Sequence, residues 1–348
     1  MNCCDWSRCF LTLLLLSPYR TPPLRHPAAV QASNRERFAN AVVQYDWVSN
    51  SRGERLRTFI TRPRGTSGKV AVIFFVGWLS CDSMEYPNGA GNDGFGALML
   101  RLIDESGYAT VRMNKPGVAE SEGNCAKATF KDELEGWQAA FDSMSQYDFI
   151  DLDRVFIFGL SNGGGFSPLV ARNRPVRGYL SASSWGRTWY EHMLELERLR
   201  LMRTGKSPAE VNSSIKAFTD FYISYLTKGT TPGQILAHHP EWLGLWYDSP
   251  DGQYGRPAAF YQQLQSLNLG EIWQGVNAPT LVLHGAADTI MSRADSEAIA
   301  QIVNQVHPGQ ARYAEIEGMG HDLTVNGKFH EPLVATVMDW MRQRLADR

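Results

Sequence analysis

The sequence has little of what would mark several large classes of protein. Only 5 cysteines occur among 348 residues. Cys3, Cys4, Cys9, Cys81 and Cys125 form no C-x-x-C pair and no Cys/His cluster with zinc spacing, so no structural metal is expected. Neither charge sign dominates: Lys plus Arg number 34, Asp plus Glu 36, and the formal net charge is -2. A nucleic-acid partner, which would call for a strongly basic domain or face, is therefore not expected. Long apolar runs are also missing. Phe10 to Leu16 is too short to span a bilayer, and no later stretch is long enough for a transmembrane helix. There is no internal repeat or long low-complexity tract.

What is present is enough apolar material for a large core. Apolar residues make up 43% of the chain, and aromatics are plentiful, with 10 Trp, 13 Tyr and 16 Phe. The length allows one large domain with an insertion, or two small ones. Residues 1–38 read as a leader or tail. Within them Phe10 to Leu16 follows Arg8 as the h-region of a signal peptide would, and Val30-Gln31-Ala32 offers small residues at a cleavage site. Export to the periplasm or outside is one expectation, and a cytoplasmic protein with a disordered leader is the other.

After residue 38 the pattern changes to strands and helices in alternation. Val42 to Val48 and Arg55 to Thr61 flank Asn50-Ser51-Arg52-Gly53 and predict a hairpin. Val70 to Val76 is a continuous apolar run, as suits a strand covered on both faces. Further strands are expected at 108–113, 154–158, 178–183, 280–284 and 311–316. Helices are expected at 95–103, from Phe130, at 163–171, from Ser292 and from Pro332. Thr129 with Asp132, and Ser292 with Asp295, look like capping pairs at helix starts. This alternation predicts a mainly parallel sheet with helices on both faces. Residues 185–270 depart from it. They lack clear strands and are dense in aromatics, and so read as a helical cap inserted in a core formed by 39–184 and 271–348.

The strongest local signal is Gly159-Leu160-Ser161-Asn162-Gly163, a G-x-S-x-G sequence between a predicted strand and a predicted helix. A nucleophile on so tight a turn needs small neighbours, hence Gly159 and Gly163. The helix N-terminus beneath it favours developing negative charge. A serine hydroxyl is a weak nucleophile and needs a base. His321, in Gly318-Met319-Gly320-His321, directly follows the last predicted strand. His284 is read as packing at its strand end or bonding to a neighbouring loop, and His238 and His239 as a solvated pair. Asp288, just past the strand ending at His284, is placed to orient the imidazole. Asp295 is better placed as a helix cap, and Asp322 adjoins His321 but should point away from its ring.

The chain order Ser161, Asp288, His321 is that of the α/β-hydrolases, and from about residue 40 onward the sequence resembles that superfamily, in its serine esterase and peptidase branch. Val76-Gly77-Trp78 lies where many members carry His-Gly-x. The loop Asn114 to Gly123 resembles the family's D-x-x-G-x-G-x-S-x-G, with Ala119 in place of a common Gly. The resemblance implies an α/β-hydrolase fold and an oxyanion hole made of the backbone N–H groups of Asn162 and Trp78. It also brings the loops of Cys81 and Cys125 together, either as a disulfide in an exported protein or as two independent small apolar residues.

The expected activity is that of a carboxylesterase-like serine hydrolase working through an acyl-enzyme. No cofactor or metal is required, and the substrate is a small molecule with an apolar or aromatic group. The same machinery would serve a peptidase, amidase or thioesterase. A peptidase acting on free N-termini would need an acidic anchor, for which Glu120, Glu122 and Asp93 are the candidates. A catalytically silent binding protein on the same fold is the third reading.

Overall fold

A computed structural model describes residues 35–172 and 174–347. The leader and its three cysteines lie outside the described residues, apart from residues 35–38, which are part of the folded body. Glu36 is buried and accepts hydrogen bonds from Arg112 Nη1 at 2.8 Å and Nη2 at 2.6 Å. Reading these four residues as leader was an error of boundary. A polar stretch gives no sign in sequence that one of its carboxylates will neutralise a buried arginine.

Eight strands form the main sheet: β1 (Ala41–Ser49), β2 (Arg55–Pro63), β3 (Val70–Val76), β4 (Ala109–Met113), β5 (Ile150–Leu160), β6 (Gly178–Ala182), β7 (Thr280–Gly285) and β8 (Ala311–Ile316). Their order is β1-β2-β4-β3-β5-β6-β7-β8. The β1–β2 hairpin is antiparallel, as is the β2–β4 pair, and every later pair is parallel. The hairpin turns where Gly53 takes φ 76°, while Asn50 Oδ1 accepts from the N–H groups of Arg52 and Glu54. The central strand β3 is buried almost throughout, as its unbroken apolar run requires.

Helices α1 (Gly94–Glu105), α2 (Phe130–Ser143), α3 (Asn162–Ala171), α9 (Arg293–Val306) and α10 (Pro332–Ala346) accompany the sheet. Both expected capping boxes form, Thr129 with Asp132 on α2 and Ser292 with Asp295 on α9. This is the α/β-hydrolase fold.

Between β6 and β7 lie α4 (Trp189–Arg203), α5 (Pro208–Tyr222), α6 (Pro232–His238), α7 (Ala258–Gln265) and α8 (Leu269–Gln274), with single 3-10 and π turns and one two-residue strand pair. Three of these helices open with a Thr or Ser capping box, at Thr188, Ser207 and Thr231. Residue 270 falls inside α8, whose Trp273 Nε1 donates to the Gly165 carbonyl at 2.8 Å. The aromatics of this insertion mostly pack on one another. Phe221 stacks on Trp246 at 5.2 Å between centroids, and Tyr225 meets Trp246 edge-on at 5.5 Å. They are chiefly the insertion's own core.

Candidate active site

The turn from β5 into α3 puts Ser161 at φ 52° and ψ -124°, a conformation that non-glycine residues rarely adopt. Neighbouring elements enforce it. A Cβ on Gly159 would collide with the backbone of Gly163 and Gly164, and one on Gly163 with the carbonyls of Val76 and Gly77. The Ser161 N–H donates to the Ala182 carbonyl at 2.9 Å, which ties the turn to β6. The hydroxyl then stands at the N-terminus of α3, 2.9 Å from His321 Nε2.

His321 comes from the loop after β8. Its Nδ1 lies 2.9 Å from Asp288 Oδ2, on the loop after β7. Those loops are joined by the Ala287 N–H donating to the Met319 carbonyl at 2.9 Å, an approach that a Cβ at Gly285 would block. Phe95 meets the imidazole edge-on, with centroids 5.8 Å apart, and stacks on Trp78 at 5.6 Å. The Asp288 side chain is fully buried. Its second oxygen accepts from the N–H groups of Ile290 at 2.8 Å and Met291 at 2.9 Å. Burial alone would raise its pKa. The hydrogen bond from His321, the charge of that ring and the two backbone donors outweigh burial and hold the carboxyl below the ordinary aspartate range.

The other residues weighed from sequence have separate duties. His284 is buried, with Nε2 3.1 Å from the Met291 carbonyl and Nδ1 3.0 Å from the Tyr313 hydroxyl. Asp322 accepts from Thr324. His238 and His239 are exposed. Asp295 is a capping residue, but it is not at the surface. It is 1% exposed and bonded to His192 and Arg187. The pattern S-x-x-D marks the cap in sequence and says nothing of what packs over it.

The backbone N–H groups of Asn162 and Trp78 have no acceptor among the described residues. The Trp78 loop is held from below by Lys115, a buried residue of the Asn114–Gly123 loop to which the sequence reading gave no role. Its Nζ donates to the Trp78 carbonyl and, at 2.6 Å, to that of Ser80. Burial and the charge of Arg256 push this amine well below the ordinary lysine range. In either protonation state the amine has a proton for each carbonyl. The signal available in sequence was only a lysine in the loop after β4. Cys81 and Cys125 are disulfide-bonded beside this loop, with Cα atoms 6.0 Å apart. Ala119 takes φ 47°, so the loop keeps a backbone conformation that glycine would adopt more easily.

A cleft of about 240 Å³ opens over Ser161, walled by Trp78, Phe95, Trp189, Leu196 and Met291, with His192 and Tyr254 also lining it. No Asp, Glu, Lys or Arg lines it among the described residues. Glu120 is bonded to Arg35 and Arg57, Glu122 to Arg55, and Asp93 accepts from the Tyr86 hydroxyl.

Residues 95–327 match the family model described as "Serine aminopeptidase, S33". A search of curated proteins finds no sequence match. Several solved structures share the fold. Est1E from Butyrivibrio proteoclasticus, solved with ferulic acid bound, superposes with a TM-score of 0.58 at 17% identity, over 87% of this chain and 100% of its own. An acylaminoacyl peptidase from Pyrococcus horikoshii gives 0.57 at 12% identity, over 88% of this chain and 42% of its own. A thermophilic esterase from Thermogutta terrifontis, with malate bound, gives 0.51 at 17% identity, over 86% of this chain and 99% of its own.

Proposed function

The chain belongs to the serine aminopeptidase S33 family of α/β-hydrolases, and from that premise we propose that it is a serine esterase cleaving small carboxylic esters through an acyl-enzyme. The observation that carries the reading is the relay from Ser161 Oγ to His321 Nε2 and from His321 Nδ1 to Asp288, each link 2.9 Å long. Ser161 attacks the ester carbonyl as its proton passes to His321. Asp288 keeps the ring in the tautomer whose Nε2 can accept, and offsets the charge that then forms. The N–H groups of Asn162 and Trp78 receive the oxyanion. His321 gives the proton to the departing alcohol, then takes one from the water that cleaves the acyl–serine bond and returns it to Ser161. None of these steps calls for a metal or organic cofactor.

The cleft supports an ester over an aminopeptide. A free amino terminus entering it would need a counter-charge, and each carboxylate expected to supply one is engaged elsewhere. Its volume of about 240 Å³ is below the roughly 300–1,000 Å³ of drug-sized sites, which favours short substrates. The helical insertion acts as a cap, supplying Trp189, His192, Leu196 and Tyr254 to the cleft wall. The Cys81–Cys125 bond favours an oxidising compartment and hence export.

Purified protein should hydrolyse members of an ester panel faster than matched thioesters or aminoacyl anilides, and should be labelled by a fluorophosphonate. Ser161→Ala should abolish labelling and nearly all turnover without changing the melting curve. Normal labelling of that variant would place the nucleophile elsewhere.

A further inference from the structure

The cleft beside Ser161 holds a second imidazole–carboxylate pair that ester hydrolysis does not use. His192, on α4, is 1% exposed and lines the cleft. Its Nδ1 is 3.0 Å from Asp295 Oδ2. Asp295 is itself fixed. Its Oδ1 accepts from Arg187 Nε at 2.9 Å and Nη2 at 2.7 Å, and its Oδ2 from the Ser292 N–H at 3.1 Å and hydroxyl at 3.0 Å. Arg187 thus already balances the carboxylate. A neutral ring that donates from Nδ1 to the carboxylate leaves Nε2 as an acceptor. Nothing among the described residues donates to it.

Two more residues of the same lining carry unpaired polar atoms. The Trp189 indole Nε1 and the Asn162 side-chain Oδ1 and Nδ2 are buried without partners among the described residues. Buried polar atoms are nearly always paired, and the exceptions call for an explanation. The residues that line the cleft therefore combine apolar walls with two unpartnered acceptors, His192 Nε2 and Asn162 Oδ1, and two unpartnered N–H groups, Trp189 Nε1 and Asn162 Nδ2. A hydroxyl answers both, donating to Nε2 and accepting from an N–H. An ammonium could also donate to Nε2, but its charge would meet no free carboxylate, since that of Asp295 is taken up by Arg187. A carboxylate or phosphate has no proton for either acceptor.

We propose that His192 is a specificity-determining residue that accepts a hydrogen bond from a substrate hydroxyl, so that the preferred substrates are short esters carrying a hydroxyl on an apolar or aryl body. The inference rests on the esterase reading and narrows its substrate class.

The test compares methyl 3-phenylpropanoate with its three ring-hydroxylated isomers. For the wild type, kcat/KM for at least one isomer should exceed that of the parent ester by about tenfold or more, because the parent leaves the buried groups unpaired. In His192→Phe the ratio should fall to within about twofold of unity. Any general loss of turnover cancels in the ratio. His192→Gln, which keeps an acceptor, should retain part of the preference, and His192→Leu serves if the phenylalanine variant does not fold. A wild-type ratio near one for all isomers, or a preference that survives in the Phe or Leu variant, overturns the proposal. Wild-type protein that neither turns over any ester nor reacts with a fluorophosphonate would instead overturn the esterase reading beneath it.

Discussion

Asp295 faces His192 across 3.0 Å much as Asp288 faces His321 across 2.9 Å, and both imidazoles line the same cleft. The loop after β7 and the first turn of α9 thus supply two buried carboxylates to two histidines. Their surroundings separate them. Asp288 accepts only from His321 and backbone N–H groups, and its histidine reaches the serine. Asp295 is neutralised by Arg187, and its histidine packs on Trp189 and makes no further side-chain hydrogen bond among the described residues.

The two aspartates should therefore fail differently. Asp288→Asn leaves His321 free to adopt the wrong tautomer and removes the counter-charge to the imidazolium. In a serine protease the equivalent change lowers turnover about 10⁴-fold. We expect kcat to fall at least about 10²-fold, with little change in KM. Asp295→Asn leaves Arg187 uncompensated and weakens both the α9 cap and the hold on His192. Arg187 is partly exposed, so the cost should be about 2 kcal/mol of stability, below the 3–5 typical of a broken fully buried pair. Its loss of kcat should be at least tenfold smaller than that of Asp288→Asn. Esterase kinetics and urea unfolding on both variants check this, and an exchange of the two phenotypes would make Asp295 the acid of the relay.

The same carboxylates set an acid limit on stability. Burial raises the pKa of Asp295, but the His192 hydrogen bond and Arg187 more than reverse it, and the Asp288 pKa is lowered as well. Both groups have folded values below the unfolded one of about 3.9. Their contribution is complete above that pH and is lost as pH falls toward the folded values. In that window each group steepens the fall by up to about 1.4 kcal/mol per pH unit. Urea midpoints between pH 3 and 4.5 should drop steeply for the wild type and less steeply for Asp295→Asn. Parallel slopes would show that Asp295 stays ionised in neither state or in both.

Much of this arrangement is local in sequence and was legible there. The serine turn is dictated by Gly159 and Gly163 and by flanking elements whose periodicity is plain. The capping boxes at Thr129 and Ser292 each lie within four residues. Asp288 and His321 could be placed because each follows a strand by a few residues, and parallel strands deliver such loops to one edge. What could not be read depends on distant packing. Glu36 meets Arg112 across 76 residues, His192 meets Asp295 across 103, and Lys115 reaches back to the carbonyl of Trp78 across 37. No periodicity links such pairs, because the chain only has to bring them together once. The aromatics of the insertion divide for a related reason, most of them packing on one another while Trp189 and Tyr254 line the cleft. Composition reveals a cluster but not whether it faces a substrate or itself.

The disulfide gives the last prediction. Cys81 and Cys125 are 44 residues apart in sequence, and the loop they close contains β4 and α1. In the chain-entropy account, cross-linking a loop of that size stabilises by about 4 kcal/mol, and measured values are typically 2–4. Replacing both cysteines by alanine should therefore cost about 2–4 kcal/mol in urea unfolding. Part of the effect should also reach the chemistry. Cys81 lies three residues beyond Trp78, whose N–H is the proposed second donor to the oxyanion, while Lys115 holds the loop only through two carbonyls. With the bond gone, that donor is less well ordered. Interactions made in the transition state should suffer more than ground-state binding, so kcat should fall by a larger factor than KM rises. Thiol reductant should reproduce both effects in the wild type and leave the double alanine variant unchanged. If the double variant lost stability but kept wild-type kcat, Lys115 and the packing of Trp78 on Phe95 would be sufficient to place the donor, and the disulfide would be a fold staple alone.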